Sequence, residues 1–513
     1  MKKVLQFLCG RIFITGILLL VQLGWFTLFL MKLTRYSVLF SGFFGVLSIL
    51  IVLYLIGSDD NPAYKIGWII LIMALPLLGG LLYLLMGNKR PSKPLKRQLI
   101  PAQQALEPTL RQDPEVQDAL KQTDPRAEGL SRYLQSAGGW PVYRDSDVRY
   151  YPVGEAMYQE MLCALESAQH FIFLEYFIIQ PGKMWDSILE ILTRKAAEGV
   201  DVRLIYDDMG SLFLLPQSFP RDMERRGIRC LPFNPFIPVL SLIMNNRDHR
   251  KILVVDGHTA FNGGINLSDE YINETHPHGH WKDTGVRVHG PAAWNLTAMF
   301  LSMWHAFRKE DALEDVRRFF PQTFHPQPFS GEGFVQPFGD SPLDGEALAE
   351  NVYIDILSQA KRYVYIFTPY LIIDDIMKTA LCSAAKRGVD VRIVTPGVPD
   401  KKIVYRLTRS HYMPLLKAGV RIFEYAPGFI HAKSYVADDE TAVIGTINMD
   451  YRSLYLHFEN GCWFCGCDAV ADMRREFEEL FAVSTEVTAQ YAGKRERCVR
   501  GINGILRLFG PLM

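Results

Sequence analysis

The chain has 513 residues, in which 55 Lys and Arg balance 55 Asp and Glu. A formally neutral chain lacks the basic surplus that draws proteins onto nucleic acid, and the length calls for more than one domain. The mean hydropathy is slightly positive, high for a water-soluble enzyme, and the apolar excess is concentrated before residue 90.

Residues 12–31, 38–56 and 66–86 are apolar runs without a charge. Each is long enough to cross a hydrocarbon core of ~30 Å, so residues 1–90 are expected to form a membrane region with three transmembrane helices. A cleaved signal peptide does not fit, because the first run is too long and further runs follow it. Lys2, Lys3, Arg11 and Lys65 fall on one side of three such spans; Lys32, Arg35, Lys89, Arg90, Lys93, Lys96 and Arg97 fall on the other. The larger group marks the inner face, which predicts a multi-pass protein of the cell membrane with its C-terminal part on the cytoplasmic side. Residues 91–135, charged and interrupted by prolines, read as a linker with one or two short helices. The basic start of this segment would lie against anionic headgroups.

Beyond the linker, helical and extended patterns alternate. Residues 154–169 have helical apolar spacing, 170–179 form an apolar strand, 184–198 a second helix and 199–206 a second strand. The order then restarts, with a helix over 345–360, a strand over 364–368, a helix over 376–387 and a strand over 388–394. Gly-Val-Asp-Val-Arg occurs in both copies, at 199–203 and 388–392. The βαβ rhythm implies α/β lobes with mixed, mainly parallel sheets covered by helices. Residues 136–330 and 331–485 are expected to be two tandem α/β/α sandwich lobes related by a pseudo-twofold axis. The tail, 486–513, alternates basic and apolar residues in the amphipathic manner of a membrane-surface helix.

Each lobe carries the same frame. His249, Lys251 and Asp256 lead to a Gly263-Gly264-Ile265-Asn266 turn, and His431, Lys433 and Asp438 lead to Gly445-Thr446-Ile447-Asn448 with every interval kept. Residues two apart on a strand share a face, so an imidazole and an ammonium stand side by side in each copy. Phosphodiester chemistry needs a nucleophile, an acid for the departing alkoxide and cations on the phosphoryl oxygens. The two histidines can supply the first two, and Lys251 and Lys433, with the amides of Asn266 and Asn448, the third. Each imidazole needs an acceptor on its other nitrogen, and Asp283 and Glu459 stand at corresponding places to serve. Asp256 and Asp438, grouped here with the catalytic residues, end their strands and are expected to fix the loops.

Other residues compete for attention. Glu175, Asp207, Arg247 and Tyr370 are candidate substrate-binding groups, with ion pairing as the alternative for the charged three. Cys462, Cys465 and Cys467 have metal-like spacing but no second pair, so packed thiols are the better reading. The His276-Pro-His-Gly-His280 loop lacks carboxylates at helical spacing and reads as solvated. No metal or cofactor is expected.

These frames resemble the phospholipase D superfamily, whose signature is the doubled His-x-Lys motif, over residues from about 150 to 480. The resemblance implies a metal-independent reaction through a phosphohistidine, with His249 as nucleophile and His431 as general acid. Where the family carries Ser or Thr after the first glycine of the turn, Thr446 fits and Gly264 departs. Segments such as Leu174-Glu-Tyr-Phe-Ile178, Tyr206-Asp-Asp-Met-Gly-Ser211, Asn246-Arg-Asp-His-Arg-Lys251 and Thr368-Pro-Tyr370 extend the likeness to bacterial cardiolipin synthases across nearly the whole chain. That implies phosphatidyl transfer between two phosphatidylglycerol molecules, giving cardiolipin and glycerol, by an enzyme whose partners are phospholipids and the membrane and not nucleic acid. A hydrolytic phospholipase D and a membrane-tethered nucleic-acid phosphodiesterase are the alternatives. Oligomeric state cannot be read from the sequence.

Overall fold

The computed structural model describes residues 37–75, 91–235 and 246–491 continuously, with scattered positions between 20 and 31, 79 and 87, and 503 and 510. Two compact units emerge, one built on residues 1–90 with 235–245 and 504–512, the other on 91–234 and 246–503.

In the first unit, Ser37–Gly57 and Pro62–Ala74 are helices. Asn61 caps the second by accepting from Ala63 N at 3.0 Å, with Pro62 at its first position, where a missing N–H costs nothing. Ile51, Leu55, Tyr64, Trp68 and Ile72 make a small core, while Phe43, Ile49, Leu53, Ile66 and Met73 are exposed. Among the described residues, no helix is long and apolar enough to cross a membrane. The expected span 38–56 falls on Ser37–Gly57, whose side chains are described from Gly42 onward. The span 12–31, the second half of the span 66–86 and the tail past 491 lie mostly outside the described residues.

The second unit holds both lobes. The first sheet comprises β1 (Asp147–Tyr151), β2 (Phe171–Tyr176), β3 (Asp201–Asp207), β4 (Arg229–Phe233), β5 (Lys251–Val255), β6 (Thr259–Gly263) and β8 (Gly285–His289), in the order β1-β8-β6-β5-β2-β3-β4. β7 (His280–Lys282) stands apart. The second sheet comprises β9 (Phe334–Asp340), β10 (Tyr363–Phe367), β11 (Asp390–Pro396), β12 (Arg421–Tyr425), β14 (Ser434–Ala437), β15 (Thr441–Gly445), β16 (Glu459–Cys465) and β17 (Ser484–Glu486). Its order, β9-β16-β15-β14-β10-β11-β12-β17, repeats the first sheet strand for strand and adds one edge strand.

The sheets are mixed but mainly antiparallel, which corrects the expectation of mainly parallel pairing. Only β2-β3-β4 and β10-β11-β12 run parallel, because only they are joined through helices long enough for a crossover. β5 returns to β6, and β14 to β15, through short turns, and a tight turn makes an antiparallel pair. Asp256 and Gly257 in one turn, and Asp438 and Asp439 in the other, have positive φ.

Helices cover both faces of each sheet. Gly154–Ser167 and Lys183–Ala197 pack on one face of the first, and Ala293–Phe307 on the other. That last helix is buried from Ala293 to Ala306, consistent with its apolar residues on every side. Residues 91–135 do not behave as a linker. They form helices Lys93–Leu106, Pro114–Thr123 and Pro125–Gly138. Leu95, Leu99 and Leu106 enter the core of the first lobe, and Leu120, Leu130 and Leu134 that of the second. Pro94, Pro114 and Pro125 sit at the starts of these helices, and Pro101 lies inside the first.

The lobes meet through reciprocal contacts. β7 pairs in parallel with β13 (Gly428–Ile430), setting Lys282 beside Ile430. At the equivalent place, Asp248 bridges in parallel to Phe458. Such an exchange of like contacts is what a local twofold axis produces.

Candidate active site

Both frames run into the line where the lobes meet. β5 and β14 begin at this line, so His249, two residues before β5, and His431, three residues before β14, sit at the strand ends. His249 N donates to Phe458 O at 2.9 Å, and His431 N to Lys282 O at 2.7 Å. Each backbone contact comes from the opposite lobe and carries the next residue, an acid, to the imidazole.

The acids are therefore exchanged. His249 Nδ1 lies 2.9 Å from both carboxylate oxygens of Glu459, and His431 Nδ1 lies 2.7 Å from Asp283 Oδ2. Both acids are fully buried, and each histidine is 7% exposed. With Nδ1–H given to a carboxylate, Nε2 is left with its lone pair free. Burial drives His249 down to about 3 despite Glu459, and His431 down to about 4 with help from Lys433. Both imidazoles are thus neutral in the empty cleft at neutral pH. Burial works to raise Glu459 and Asp283, but the adjoining His249 in one case, and His431 and Lys433 in the other, outweigh it and keep both ionised.

The lysines lie against the histidines on the shared face. Lys251 Nζ donates to His249 O at 2.6 Å, and Lys433 Nζ donates to His431 O and approaches His431 Nδ1 at 2.8 Å. Burial lowers Lys251 to about 7 and Lys433 to about 8, so an incoming phosphodiester anion meets cations held with little other compensation.

The turns after the frames differ in a way that explains Gly264. Thr446 Oγ1 donates to Glu459 Oε2 at 2.5 Å. At Gly264 there is no room for a side chain: a Cβ would stand 2.1 Å from Asp283 Oδ1. The shorter Asp283 reaches its histidine by lying directly on the glycine, and it accepts from Thr284 N at 2.8 Å. Asn266 accepts from Ile178 N at 3.1 Å and donates to Tyr271 OH at 2.6 Å, so its amide braces the wall. Asn448 is buried with Oδ1 unpartnered.

Asp256 and Asp438 lie past the far ends of β5 and β14, and at ~3.3 Å per residue Asp256 is about 16 Å from Lys251. Asp256 accepts from Gln169 N, His170 N and Phe171 N at 2.8–2.9 Å; Asp438 accepts from Lys361 N, Arg362 N and Tyr363 N at 2.7–2.9 Å. They start β2 and β10, and grouping them with the catalytic residues is corrected by this position.

Glu175 and Asp207 are taken up by buried ion pairs. Both are fully buried. Glu175 is 2.9 Å from Arg250 Nε. Asp207 accepts from Gly210 N at 2.9 Å and Asp248 N at 3.0 Å and pairs with Arg247; burial lifts it to about 6. Arg247 donates to Asn234 O and keeps a buried Nη1 without a partner. Tyr370 OH donates to Asp400 Oδ2 at 2.6 Å.

Aromatic rings wall the two imidazoles: Phe177 beside His249, with ring centres 4.9 Å apart, and Tyr271 and Trp281 beside His431, at 5.4 and 5.5 Å. A third imidazole, His457, faces Glu459 with Nδ1 3.5 Å from Oε1. The sequence reading missed it; its place two residues before an orienting acid was the available signal. His280 Nδ1 meets Tyr425 OH at 3.0 Å. Cys462 and Cys465 belong to different cores on opposite faces of β16, so they cannot share an ion.

A model of the cardiolipin synthase, phospholipase D-like domain matches residues 161–304 and 353–481, one stretch in each lobe. A phospholipase D-nuclease N-terminal model matches 46–88. The chain is 44% identical to an uncharacterized protein of Streptococcus mutans over 90% of this chain and 99% of that one. It is 33% identical to a cardiolipin synthase of Alkalihalophilus pseudofirmus over 89% and 90%. Among solved structures, a phosphatidylserine synthase of Haemophilus influenzae superposes with a TM-score of 0.53 at 12% identity, covering 75% of this chain and all of that one; this likeness concerns the fold.

Proposed function

Since the chain belongs to the phospholipase D-like cardiolipin synthase family, we propose that it joins two phosphatidylglycerol molecules through a phosphatidyl-histidine and releases glycerol. The enzyme class is phosphatidyltransferase, and the substrates of its relatives are phospholipids. His249 Nε2 attacks phosphorus while Lys251 and Lys433 take up charge on the phosphoryl oxygens. His431 protonates the departing glycerol, then removes the proton from the hydroxyl of the second phosphatidylglycerol, which attacks the phosphatidyl-histidine and restores His249.

The division of roles is supported by one asymmetry. His249 Nδ1 faces only a carboxylate pair of oxygens and must carry the proton there, leaving Nε2 nucleophilic. His431 Nδ1 likewise gives its proton to Asp283, but Lys433 Nζ also stands 2.8 Å from it; to act as the acid this ring takes up a second proton, on Nε2, when substrate binds. The bound phosphodiester raises the proton affinity of His431, since it adds a negative charge to a dry site. Arg247 and Asn448, each with a buried unpartnered atom, are proposed headgroup ligands, and Tyr370 borders the acceptor side.

The apolar, exposed helices of the first unit support a membrane-embedded enzyme. With three spans, the distribution of Lys and Arg supports a cytoplasmic position for the lobes. The observation that carries the function is the pair of exchanged His–acid contacts within the family domain. Purified chain in detergent micelles with labelled phosphatidylglycerol should yield cardiolipin and free glycerol in equal amounts. Phosphatidic acid alone would replace this reading with hydrolysis, and intact lipid beside cleaved DNA would replace it with a nuclease.

A further inference from the structure

His457 is not needed by the proposed reaction, yet it points at the centre of it. It approaches Glu459 Oε1 to 3.5 Å, its ring centre is 5.6 Å from that of His249, and its Nδ1 is buried without a hydrogen-bond partner. One ligand atom from each of His249, His457 and Glu459 lies within 4.8 Å of the others, the one such grouping among the described residues. Zinc-type ions take two imidazoles and a carboxylate at bonds of ~2.1 Å in tetrahedral sites with one open position. Such bonds put ligand atoms ~3.4 Å apart, and the two N–O separations here, 2.9 and 3.5 Å, already bracket that spacing.

We propose that His249, His457 and Glu459 form a binding site for a divalent transition ion of the zinc class, and that its occupation switches the enzyme off. The inference rests on the proposed role of His249. The ion takes the Nδ1 lone pair of neutral His249, whose single proton moves from Nδ1 to Nε2, and no electron is transferred. It also takes the Glu459 oxygen that orients the ring. A neutral imidazole bonded to a dication through Nδ1 carries its proton on Nε2 and has no lone pair there with which to attack phosphorus. Among the described residues, His431 and Asp283 belong to no such grouping, so only one half of the cleft is sensitive. Nitrogen-rich coordination selects zinc, cobalt or copper over magnesium and calcium, which prefer oxygen.

The test uses the untagged full chain in detergent. Titration with Co²⁺ should produce the visible absorption of tetrahedral cobalt at one ion per chain, and Zn²⁺ should erase it. His457→Asn, which keeps a side-chain donor toward Glu459, should lose the bands, whereas His431→Asn should retain them. In the transfer assay, Zn²⁺ should inhibit the native chain reversibly on chelation. His457→Asn, active without added metal, should need at least about tenfold more Zn²⁺ for equal inhibition. Absence of cobalt bands in the native chain, or bands unchanged in His457→Asn, would overturn the site. Bands with unimpaired transfer would overturn the switch. If no transfer is seen under any condition, the proposed function fails while the cobalt titration still decides the site.

Discussion

Glu459→Gln should slow phosphatidyl transfer by about 10² to 10³ and leave the fold in place. Glutamine has the volume of glutamate, and the site it enters is fully buried. Two 2.9 Å contacts from a carboxylate to His249 Nδ1 become one neutral hydrogen bond, and Thr446 loses an ionised acceptor at 2.5 Å. A hydrogen bond to a charged group is worth ~1.5–3 kcal/mol against ~1 for a neutral one. The larger effect is on the transition state, where His249 gains positive charge as it bonds to phosphorus in a site whose burial already resists that charge. Removing one preorganised electrostatic partner costs ~2.7–4 kcal/mol of barrier, or the stated factor in rate. Two substrates report on it: labelled phosphatidylglycerol for the full reaction, and a phosphatidyl ester of nitrophenol, whose leaving group needs no acid. With the second substrate, His431→Asn and Asp283→Asn should still release a stoichiometric burst of nitrophenolate, while His249→Asn and Glu459→Gln should not. A Glu459→Gln rate within about threefold of native would refute the electrostatic argument, and a reversed burst pattern would make His431 the nucleophile.

Gly264→Ala should cut transfer by more than about tenfold, because the new Cβ would displace Asp283 from His431; overpacking of this kind also costs ~1–3 kcal/mol of stability, readable by thermal unfolding, and near-native activity would show that Asp283 has another place to go. Asp256→Ala strands three backbone donors and should lower unfolding free energy by roughly 3 kcal/mol with modest change in kcat of the folded fraction; the reverse pattern, lost kcat at unchanged stability, would return Asp256 to the catalytic group. In free enzyme, kcat/KM should fall as pH rises through about 7 to 8, where Lys251 and Lys433, lowered by burial, lose their charge. The acid-side fall should come only near pH 3, where the nucleophile His249 takes up a proton, so a profile bounded near pH 6.5 on the acid side would contradict a neutral His249.

The doubled frame was legible because its spacing is local: two residues on a strand share a face whatever surrounds them, and the turn after β5 and β14 leaves a glycine at a fixed distance. The parallel core strands were legible for the same reason, as apolar runs between helical runs. Antiparallel neighbours were not, since a short loop in the sequence looks alike whether it joins β5 to β6 or ends a lobe. The helices of residues 91–135 escaped notice because prolines at helix starts look like interruptions until the N-caps Ser92, Asp113 and Asp124 are seen to hold the following turns. Asp283 and Glu459 stood out as acids in matching places, but nothing in either motif says that each serves the histidine of the other lobe, 148 and 210 residues away in sequence.

That exchange has a consequence for how the duplication works. A single lobe folded alone would present His431 without Asp283, or His249 without Glu459, and a buried imidazole without its acceptor has no fixed tautomer. Neither its nucleophile nor its acid would be set. Joining the lobes in one chain makes orientation of each histidine a property of their interface, so any change that parts β7 from β13 withdraws Asp283 as surely as mutating it. The two sides of the cleft can then diverge without losing register, as they have at Gly264 and Thr446. One acid lies on a bare glycine and the other is held by a hydroxyl, and the nucleophile and the acid acquire different surroundings on a common frame.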